Sequence, residues 1–273
     1  RSRNDQVATD FRMWVRSAMQ RHLLGRPITR VRTSDKRLRE PLPRSALRAL
    51  VGDRFIAARR RAKFLLLDLQ SGRTLLVHLG MSGNLFFRPE GEKHDHVTFT
   101  FDDGSTLVYN DPRRFGVVLV LANNEERSCR YLQKLGPEPL ISAFNTRYLV
   151  AQCQKRKSPI KIFVMDNSIV VGVGNIYASE ALFRARIHPA TPASAVDPGD
   201  LALLVKEIKK VLRAAIRRGG TTISDYRGSG EGGRFQQKLN VYGREGEACR
   251  VCATSIESLY LGGRNTFYCP SCQ

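Results

Sequence analysis

The sequence predicts an α+β fold with three consecutive parts: a β-sandwich near the N-terminus, a helical segment in the middle and a zinc ribbon at the C-terminus. Short apolar runs separated by turn residues fill the first part of the chain. After about residue 130 the apolar residues follow a helical period instead. Four cysteines in two C-x-x-C pairs close the sequence. A chain of 273 residues is long enough for two domains and a small appendage.

The β-sandwich is predicted from hairpin signals between about residues 28 and 122. Two apolar runs flank Ser71-Gly72, and two more flank Asp103-Gly104, which is a strong two-residue hairpin turn. A further apolar run follows. Strands at this density are typical of a sandwich. The predicted strands are residues 64–69, 74–78, 96–101, 106–109 and 116–121.

Two helices are predicted in the middle of the chain. Apolar residues from Leu201 to Ile216 recur with the period of an amphipathic helix, for which Asp200 is the predicted N-cap and Gly219-Gly220 the predicted stop. A second helix begins at Asn175, after a glycine-rich turn. The first of these helices carries a basic face, which is either solvated or in contact with DNA. Its basic residues are Lys206, Lys209, Lys210, Arg213, Arg217 and Arg218.

The two C-x-x-C pairs are sixteen residues apart and predict one tetrahedral zinc ion. Four protein ligands leave no open position for water, so the predicted role is structural. The segment between the pairs fits a hairpin that turns at Gly262-Gly263, with Arg264 just after the turn. The alternative is a pair of disulfides in a secreted protein, but no signal peptide is visible, and Cys129 and Cys153 stand alone. The predicted zinc ligands are Cys249, Cys252, Cys269 and Cys272.

The charge balance indicates a polyanionic partner. Lys and Arg outnumber Asp and Glu by 45 to 25, which gives a formal net charge of +20. A hydrophobic fraction of 42% excludes a disordered basic tail. A folded, strongly basic chain with a zinc ribbon most often binds nucleic acid; the alternative is a ribosome-associated or merely soluble basic protein. No apolar run approaches the roughly 18 residues of a membrane helix, and the cysteine usage fits a reducing cytoplasm.

Runs of residues from about His22 to Gln273 resemble the bacterial formamidopyrimidine-DNA glycosylases. The resemblance implies an N-terminal β-sandwich, a helix–two-turn–helix domain and a C-terminal zinc finger, with DNA in the cleft between. The glycine-rich segment 227–234 matches the loop that closes over the extruded base, or else it is a plain linker. The matching runs are residues 60–67, 78–83, 93–96, 111–116, 135–140, 165–167, 171–180, 219–222 and 241–244, together with the zinc ribbon.

Four segments are predicted with these boundaries. Residues 1–21 form an atypical N-terminal helical segment, and residues 22–130 form the β-sandwich domain. Residues 131–235 form the helix–two-turn–helix domain, and residues 236–273 form the zinc finger.

The resemblance also implies a function. Family members act in base excision repair as glycosylases and abasic-site lyases for oxidised purines. The expected partner is double-stranded DNA that contains oxidised bases or abasic sites, and the expected cofactor is one structural Zn²⁺. A monomer in the bacterial cytoplasm, associated with the nucleoid and not with a membrane, is expected.

Three residues match the side chains that fill the gap left by an extruded base. A glycosylase must turn its target base out of the stack, and an apolar wedge with a cation suits the hole that remains. Met81, Arg113 and Phe115 match these positions. Without the resemblance, Met81 is typical of a core residue, Arg113 of a surface charge and Phe115 of a strand filler.

Five further residues match functional positions of the family. Lys63 matches the catalytic lysine, although by itself it is typical of a gatekeeper at a strand edge. Arg264 matches the finger arginine that grips a phosphate and assists the second elimination. His94, Lys157 and Asn175 match DNA-contacting positions.

The first residues of the sequence depart from the family. Family members open with Pro-Glu, in which the proline amine is the nucleophile and the glutamate the acid/base. Val7 and Ala8 stand at the matching positions, and the first 15 or so residues resemble a short segment of argininosuccinate lyases, too short for that fold. Two hypotheses follow: an active glycosylase and lyase, or a damaged-DNA-binding protein with lost or much reduced catalysis. The missing Pro-Glu favours the second for this chain, and a lyase of the argininosuccinate type is a distant third.

Overall fold

A computed structural model of the chain describes residues 23–217 and 239–273. These residues divide into two compact units, one with residues 23–133 and one with residues 134–217 and 239–273. The expectations for residues 1–21, for the helix stop at Gly219-Gly220 and for the segment 227–234 lie outside the described residues. The four domain boundaries stay predictions.

The first unit contains two four-stranded antiparallel sheets. One sheet has the order β1-β6-β7-β5 and the other the order β2-β3-β4-β8. Both predicted hairpins are confirmed, as β3-β4 and β6-β7. A short helix, α1, covers Arg44–Arg48. The strands are β1 Ile28–Thr33, β2 Phe55–Arg61, β3 Phe64–Leu69, β4 Thr74–His78, β5 Asn84–Phe87, β6 Asp95–Phe101, β7 Thr106–Asn110 and β8 Val117–Leu121.

The two sheets face each other across an aromatic core. The Phe55 ring of β2 lies edge-on to two rings of β6, with centroid distances of 5.8 Å to Phe99 and 6.4 Å to Phe101. All three rings are at most 1% exposed. Edge-to-face pairs at these distances stabilise a core beyond the effect of their buried area. The predicted β-sandwich is therefore confirmed.

The second unit is built from helices and a two-stranded hairpin. Its longest helix begins two residues before the predicted N-cap, because Asp197 caps it: the Asp197 carboxylate accepts from the Gly199 N–H at 2.7 Å. Asp200 lies inside the first turn instead. The predicted helix start at Asn175 is confirmed. The elements are α2 Thr146–Cys153, α3 Ile160–Met165, α4 Asn175–Ala185, α5 Pro198–Arg217, β9 Glu257–Leu261 and β10 Arg264–Tyr268.

Helix α4 is the centre of this unit. Ten of its eleven residues are buried, and α5 packs its apolar stripe against it, with Leu204 and Ile208 at most 1% exposed. The lysines and arginines of α5 lie mainly on the outer face, where Lys206 and Arg213 are exposed. Within residues 23–217 and 239–273, no helix has the length and apolar character that a membrane span requires.

Candidate functional site

The four cysteines of the C-terminal hairpin form one cluster. Their sulfur atoms all lie within 4.8 Å of one another. Cys249 and Cys272 are 3.9 Å apart, and Cys252 is 3.4 Å from both Cys269 and Cys272. Tetrahedral zinc, with Zn–S bonds of about 2.3 Å, places its sulfurs about 3.8 Å apart. A disulfide needs about 2.05 Å, so the cluster fits one structural zinc ion and the disulfide alternative is wrong.

One thiol of the cluster is prepared for metal binding. Hydrogen bonds from the side chain and backbone of Thr254 lower the pKa of Cys252 to about 6. The thiolate is the form that binds a metal, so these hydrogen bonds favour the metal-binding form of Cys252. Cys252 is exposed, whereas Cys249 and Cys269 are buried. Zinc bound by these four thiolates would tie the two ends of the β9-β10 hairpin together.

The hairpin presents Arg264 to solvent. Arg264 is the first residue of β10 and pairs with Leu261 across the Gly262-Gly263 turn. Its side chain is exposed. Gly262 has a φ of +53°, and a Cβ there would lie 2.5 Å from the Ile162 side chain of α3. The turn therefore rests directly on α3, where only glycine fits without a shift.

A buried ammonium group joins α3 to the same hairpin. Lys161 is 0% exposed, and its Nζ donates to the Thr266 hydroxyl at 2.6 Å and to the Asn175 side-chain oxygen. The Asn265 carbonyl accepts from Lys161 Nζ at 3.5 Å and from the Asn175 Nδ2 at 3.0 Å. Asn175, one of the predicted DNA-contacting residues, is thus 6% exposed and holds the strand that carries Arg264.

A buried carboxylate fixes the segment that leads into the finger. Glu180 of α4 is 1% exposed. Its Oε1 accepts from the backbone N–H groups of Asn240 and Val241, both at 2.9 Å, and of Tyr242 at 3.1 Å. Its Oε2 accepts from the Asn240 side chain at 2.8 Å. Bonds from several N–H groups to one carboxylate are among the stronger hydrogen bonds in proteins.

The predicted wedge residues lie at one end of the β-sandwich. β4 ends and β8 begins at the same sheet position, where His78 pairs with Val117, so Met81 after β4 and Phe115 before β8 lie on neighbouring loops. The Arg113 guanidinium carbon is 5.0 Å from the centre of the Phe115 ring, a cation–π distance. Phe115 is 43% exposed, so it is not a strand filler. Met81 is half-buried and Arg113 exposed.

Lys63 lies on the two-residue turn between β2 and β3, where Arg61 pairs with Phe64. The preceding residue, Ala62, has a φ of +53°, a conformation that residues with a Cβ rarely adopt. The Arg60 side chain donates to the Ala62 carbonyl at 2.5 Å and supports this turn. The sequence around Lys63, which follows the arginines of an edge strand, does not predict the positive φ of Ala62.

A histidine near Lys63 is an unusually weak base. Burial, then the charges of Lys63 and Arg39, lower the pKa of His78 to about 4. The ring packs on Phe64 with 4.8 Å between centroids, and its Nδ1 accepts from the Gly80 N–H at 3.0 Å. His78 is therefore neutral at physiological pH beside the predicted catalytic lysine.

The remaining predicted residues fall in two places. His94 is half-buried just before β6, and its carbonyl accepts from the Asp111 N–H at 3.0 Å. Lys157 is exposed in the loop between α2 and α3. The first unit thus brings together Met81, His94, Arg113 and Phe115, while the second brings together Asn175 and Arg264.

Sequence reasoning missed the buried polar residues that support these groups. Asp111, Lys161 and Glu180 are each at most 1% exposed. One signal was available: Lys161 interrupts the apolar run Ile160–Met165, where a charge is costly unless it has partners.

Comparisons with known families match all three parts of the chain. The formamidopyrimidine-DNA glycosylase N-terminal domain matches residues 13–118, and the H2TH domain of the same family matches residues 135–227. The zinc finger found in FPG and IleRS matches residues 246–273. The helix–two-turn–helix domain and the zinc finger expected from the sequence are thereby confirmed.

Individual relatives match over nearly their full length. The formamidopyrimidine-DNA glycosylase of Acinetobacter baylyi is 48% identical over 257 residues, which cover 92% of each chain. That of Shewanella amazonensis is 46% identical over 263 residues, covering 95% of this chain and 96% of the relative.

Solved structures show the same fold. The MutM (Fpg) protein from Thermus thermophilus superimposes with a TM-score of 0.85 at 36% identity, over 98% of this chain and 97% of the other. A complex of Lactococcus lactis Fpg with DNA that contains an abasic site gives a TM-score of 0.87 at 30% identity, over 98% of both chains. With this fold, this zinc finger and relatives of such identity, the chain belongs to the formamidopyrimidine-DNA glycosylase family.

Proposed function

We propose that the protein is a DNA glycosylase and abasic-site lyase that removes oxidised purines in base excision repair. The observation that carries this proposal is the match to proteins named formamidopyrimidine-DNA glycosylase over more than nine-tenths of both chains. Structures of related proteins contain DNA with an abasic site or with a formamidopyrimidine lesion. These comparisons favour the enzyme over the alternative, a binding protein without catalysis.

The arrangement of the first unit supports a wedge function. Met81, Arg113 and Phe115 are placed on adjoining loops, with an apolar ring and a guanidinium in contact. We assign these three residues to the gap that an extruded base leaves, where the ring stacks on neighbouring bases and the guanidinium faces the unpaired partner base. His94 and Lys157 are assigned to phosphate contacts, which fix register without reading sequence.

Lys63 and Arg264 are assigned to catalysis. Lys63 lies on the β2-β3 turn, and its charge is one of those that lower the pKa of His78. Because that ring is neutral, it adds no second positive charge there, and an amine at such a turn suits proton transfer during strand cleavage. Arg264 is exposed on the strand that the Asn265 and Thr266 contacts hold against the helices, and its guanidinium suits a phosphate beside the lesion.

The setting of the protein is part of the proposal. We assign the protein to the bacterial cytoplasm, at the nucleoid, where its DNA substrate lies, and we expect it to act as a monomer with one zinc ion. The four-thiolate cluster supports the zinc ion, and the bacterial sources of the named relatives support the location.

Borohydride trapping tests the proposed chemistry. Lyases of this type form an imine between an amine of the protein and the sugar, and borohydride reduces that imine to a stable covalent adduct. The protein is incubated with duplexes that contain oxidised guanine, an abasic site or no lesion, in each case with borohydride, and adducts are resolved by denaturing electrophoresis. Intact mass of the protein and of its tryptic adduct identifies the amine.

The expected result is an adduct with oxidised guanine and with the abasic site, and none with the undamaged duplex. An adduct with the abasic site alone, lost in Lys63→Ala, overturns the glycosylase assignment and leaves a lyase that uses Lys63. Tight binding to damaged duplexes without any adduct and without release of the oxidised base overturns both activities and restores the binding-protein hypothesis.

A further inference from the structure

Asp111 is a fully buried carboxylate at the start of the loop that carries Arg113 and Phe115. It is 0% exposed. Its Oδ1 accepts from the Ser82 hydroxyl at 2.6 Å and from the Arg113 N–H at 3.3 Å. Its Oδ2 accepts from the Gly116 N–H at 2.8 Å and from the Tyr109 hydroxyl at 3.3 Å.

The backbone of Asp111 makes two further contacts, with the residues at the start of β6. Its N–H donates to the His94 carbonyl at 3.0 Å, and its carbonyl accepts from His96 Nε2 at 3.0 Å. His96 is itself fixed, because its Nδ1 lies 2.9 Å from the Ser34 hydroxyl. One residue thus joins β6 to both loops at this end of the sandwich.

Apart from the Tyr109 bond, each of these side-chain and N–H contacts falls on, or next to, a residue assigned to DNA. Ser82 follows Met81, and Gly116 follows Phe115, while His94 and Arg113 are contacted directly. The Ser82 hydroxyl also accepts from the Arg113 N–H at 3.2 Å, so it connects the two wedge loops a second time.

The two loops are packed too closely to move independently. A Cβ added at Gly80 would lie 2.6 Å from the backbone of Phe115, and one added at Gly116 would lie 2.7 Å from the His78 carbonyl oxygen, at the end of β4. Such approaches exclude every side chain at both positions. A displacement of either loop therefore disturbs the other.

The chemistry of the cluster calls for a carboxylate. Two N–H groups and two hydroxyl groups point at the two oxygens of Asp111. An amide has one accepting oxygen, so Asp111→Asn would turn an NH₂ group toward donors that it cannot pair with. Buried donors without partners are costly, and the loops would rearrange to reach water.

We propose that Asp111 is a positioning residue that holds Met81, Arg113 and Phe115 in the geometry that the gap of a damaged duplex requires. This inference rests on the proposed function, since the wedge assignment belongs to it. Loops that are already ordered in the free protein lose less conformational entropy when DNA binds. A chain with loosened wedge loops should therefore lose affinity for a gapped duplex while it keeps its phosphate contacts with intact DNA.

The test measures a ratio rather than an affinity. The lesion preference is the Kd for an intact duplex divided by the Kd for the same duplex with a tetrahydrofuran abasic analogue, which cannot be cleaved through an imine. The full chain is compared with Asp111→Asn, Arg113→Ala and the double variant. Asp53→Asn is the matched control. The Asp53 side chain belongs to the same unit, is 7% exposed and accepts from Ser71, Arg54 and Arg73. It lies at the end of β4 that is opposite to the wedge loops.

Asp111→Asn is expected to lower the lesion preference about tenfold, while Asp53→Asn leaves it unchanged. The lesion preference of the double variant should differ from that of Arg113→Ala alone by less than about twofold, because both changes act through the wedge. If Asp111→Asn does not fold, Ser82→Ala removes both hydrogen bonds that join the two loops and leaves the other Asp111 contacts in place; it should lower the preference about threefold.

Equal losses on intact and gapped duplexes would overturn the positioning role, and so would independent effects of Asp111→Asn and Arg113→Ala. The proposed function fails differently: a chain without borohydride adducts but with a normal lesion preference loses its enzymatic assignment and keeps the wedge. A chain without any lesion preference overturns the wedge and with it the role of Asp111.

Discussion

The Lys161 ammonium donates to the Thr266 hydroxyl at 2.6 Å, although the two residues are 105 positions apart in the chain. The bond joins helix α3 to strand β10 inside a single compact unit. Lys161 is 0% exposed, and a buried ammonium is stable only where hydrogen bonds replace its hydration. The zinc finger is thus joined to the helices by polar groups as well as by apolar packing.

Lys161→Met should uncouple the finger from the helices. The change removes the donor to the Thr266 hydroxyl and the weaker of the two donors to the Asn265 carbonyl, so the strand that carries Arg264 is held less firmly. The affinity for damaged duplex should fall, and Arg264→Ala should cost at least about 1 kcal/mol less in the Lys161→Met chain than in the unaltered one. Lys209→Met, which removes a half-buried lysine of α5, controls for charge. Additive effects in this cycle would show that the two residues act separately.

Purified protein should contain one equivalent of zinc bound by Cys249, Cys252, Cys269 and Cys272. Structural zinc sites contribute about 10 kcal/mol or more to the folding of small fingers, so chelation should unfold the β9-β10 hairpin and sharply weaken DNA binding. Metal analysis and amide exchange of the finger measure both effects. Added Zn²⁺ should restore binding, whereas Mg²⁺ should not. Full DNA affinity in zinc-free protein would contradict this prediction.

Phosphate contacts should dominate DNA binding. If roughly five to seven phosphates are neutralised, the plot of log Kobs against log salt should have a slope of about −4 to −6. Arg113→Ala should lower the affinity for a duplex with an abasic site more than for an intact duplex, because the guanidinium is assigned to the gap. Fluorescence anisotropy over a salt series measures both. A loss that is equal on the two duplexes would make Arg113 a plain surface contact.

His78 should make stability depend on pH between about 6.5 and 4. Its pKa is lowered to about 4 in the folded protein by burial and by Lys63 and Arg39, against about 6.5 in an unfolded chain. The unfolded state therefore takes up the proton first as the pH falls. The contribution of neutral His78 is complete above pH 6.5 and is lost toward pH 4, by about 3 kcal/mol in all.

Urea unfolding of the protein and of His78→Gln at several pH values checks this. The difference in free energy of unfolding between the two chains should be largest near pH 7.5 and should shrink as the pH falls toward 4. Other titrating groups are common to both chains and cancel. A difference that does not vary with pH would show that the pKa of His78 is the same in the folded and the unfolded protein.

The N-terminal segment can be tested by replacement. Residues 1–21 are exchanged for a family-type opening, Pro-Glu-Leu-Pro-Glu followed by the first family helix. If the rest of the chain is competent, the exchanged chain should excise oxidised guanine, because the resemblance assigns the nucleophile to such a proline amine and the acid/base to the adjoining carboxylate. A matched exchange with Gly in place of the proline separates the amine from the packing of the helix. Equal excision with proline and with glycine would show that the proline is not the nucleophile.

Much of the fold could be predicted from local patterns. The β3-β4 and β6-β7 hairpins have apolar runs on either side of Gly-containing turns, and the finger hairpin has the same pattern around Gly262-Gly263. Strands β1, β2 and β5 were not delimited. β2 mixes arginines with apolar residues because one of its faces is exposed, so its apolar period is broken. α3, with six residues, is too short to show a helical period.

The supporting residues of the site could not be predicted from the sequence. Asp111 stands before a proline and is typical of a turn, and nothing local says that its carboxylate accepts from Ser82, a residue 29 positions away. Glu180 follows a serine on a helix and is typical of a surface residue, yet it is 1% exposed. Long-range hydrogen bonds of this kind leave no periodic trace, because each depends on the packing of elements far apart in the chain.

The hydrogen bonds of the Glu180 carboxylate also connect the finger to the rest of its unit. It accepts three successive backbone N–H groups of residues 240–242, where the chain enters the finger. A finger cut out at this point, or grafted onto another protein, would keep its four cysteines but would leave those N–H groups without their acceptor. The segment that leads into this finger therefore depends on helix α4 for its hydrogen bonds, whereas the finger itself is held by its four cysteines.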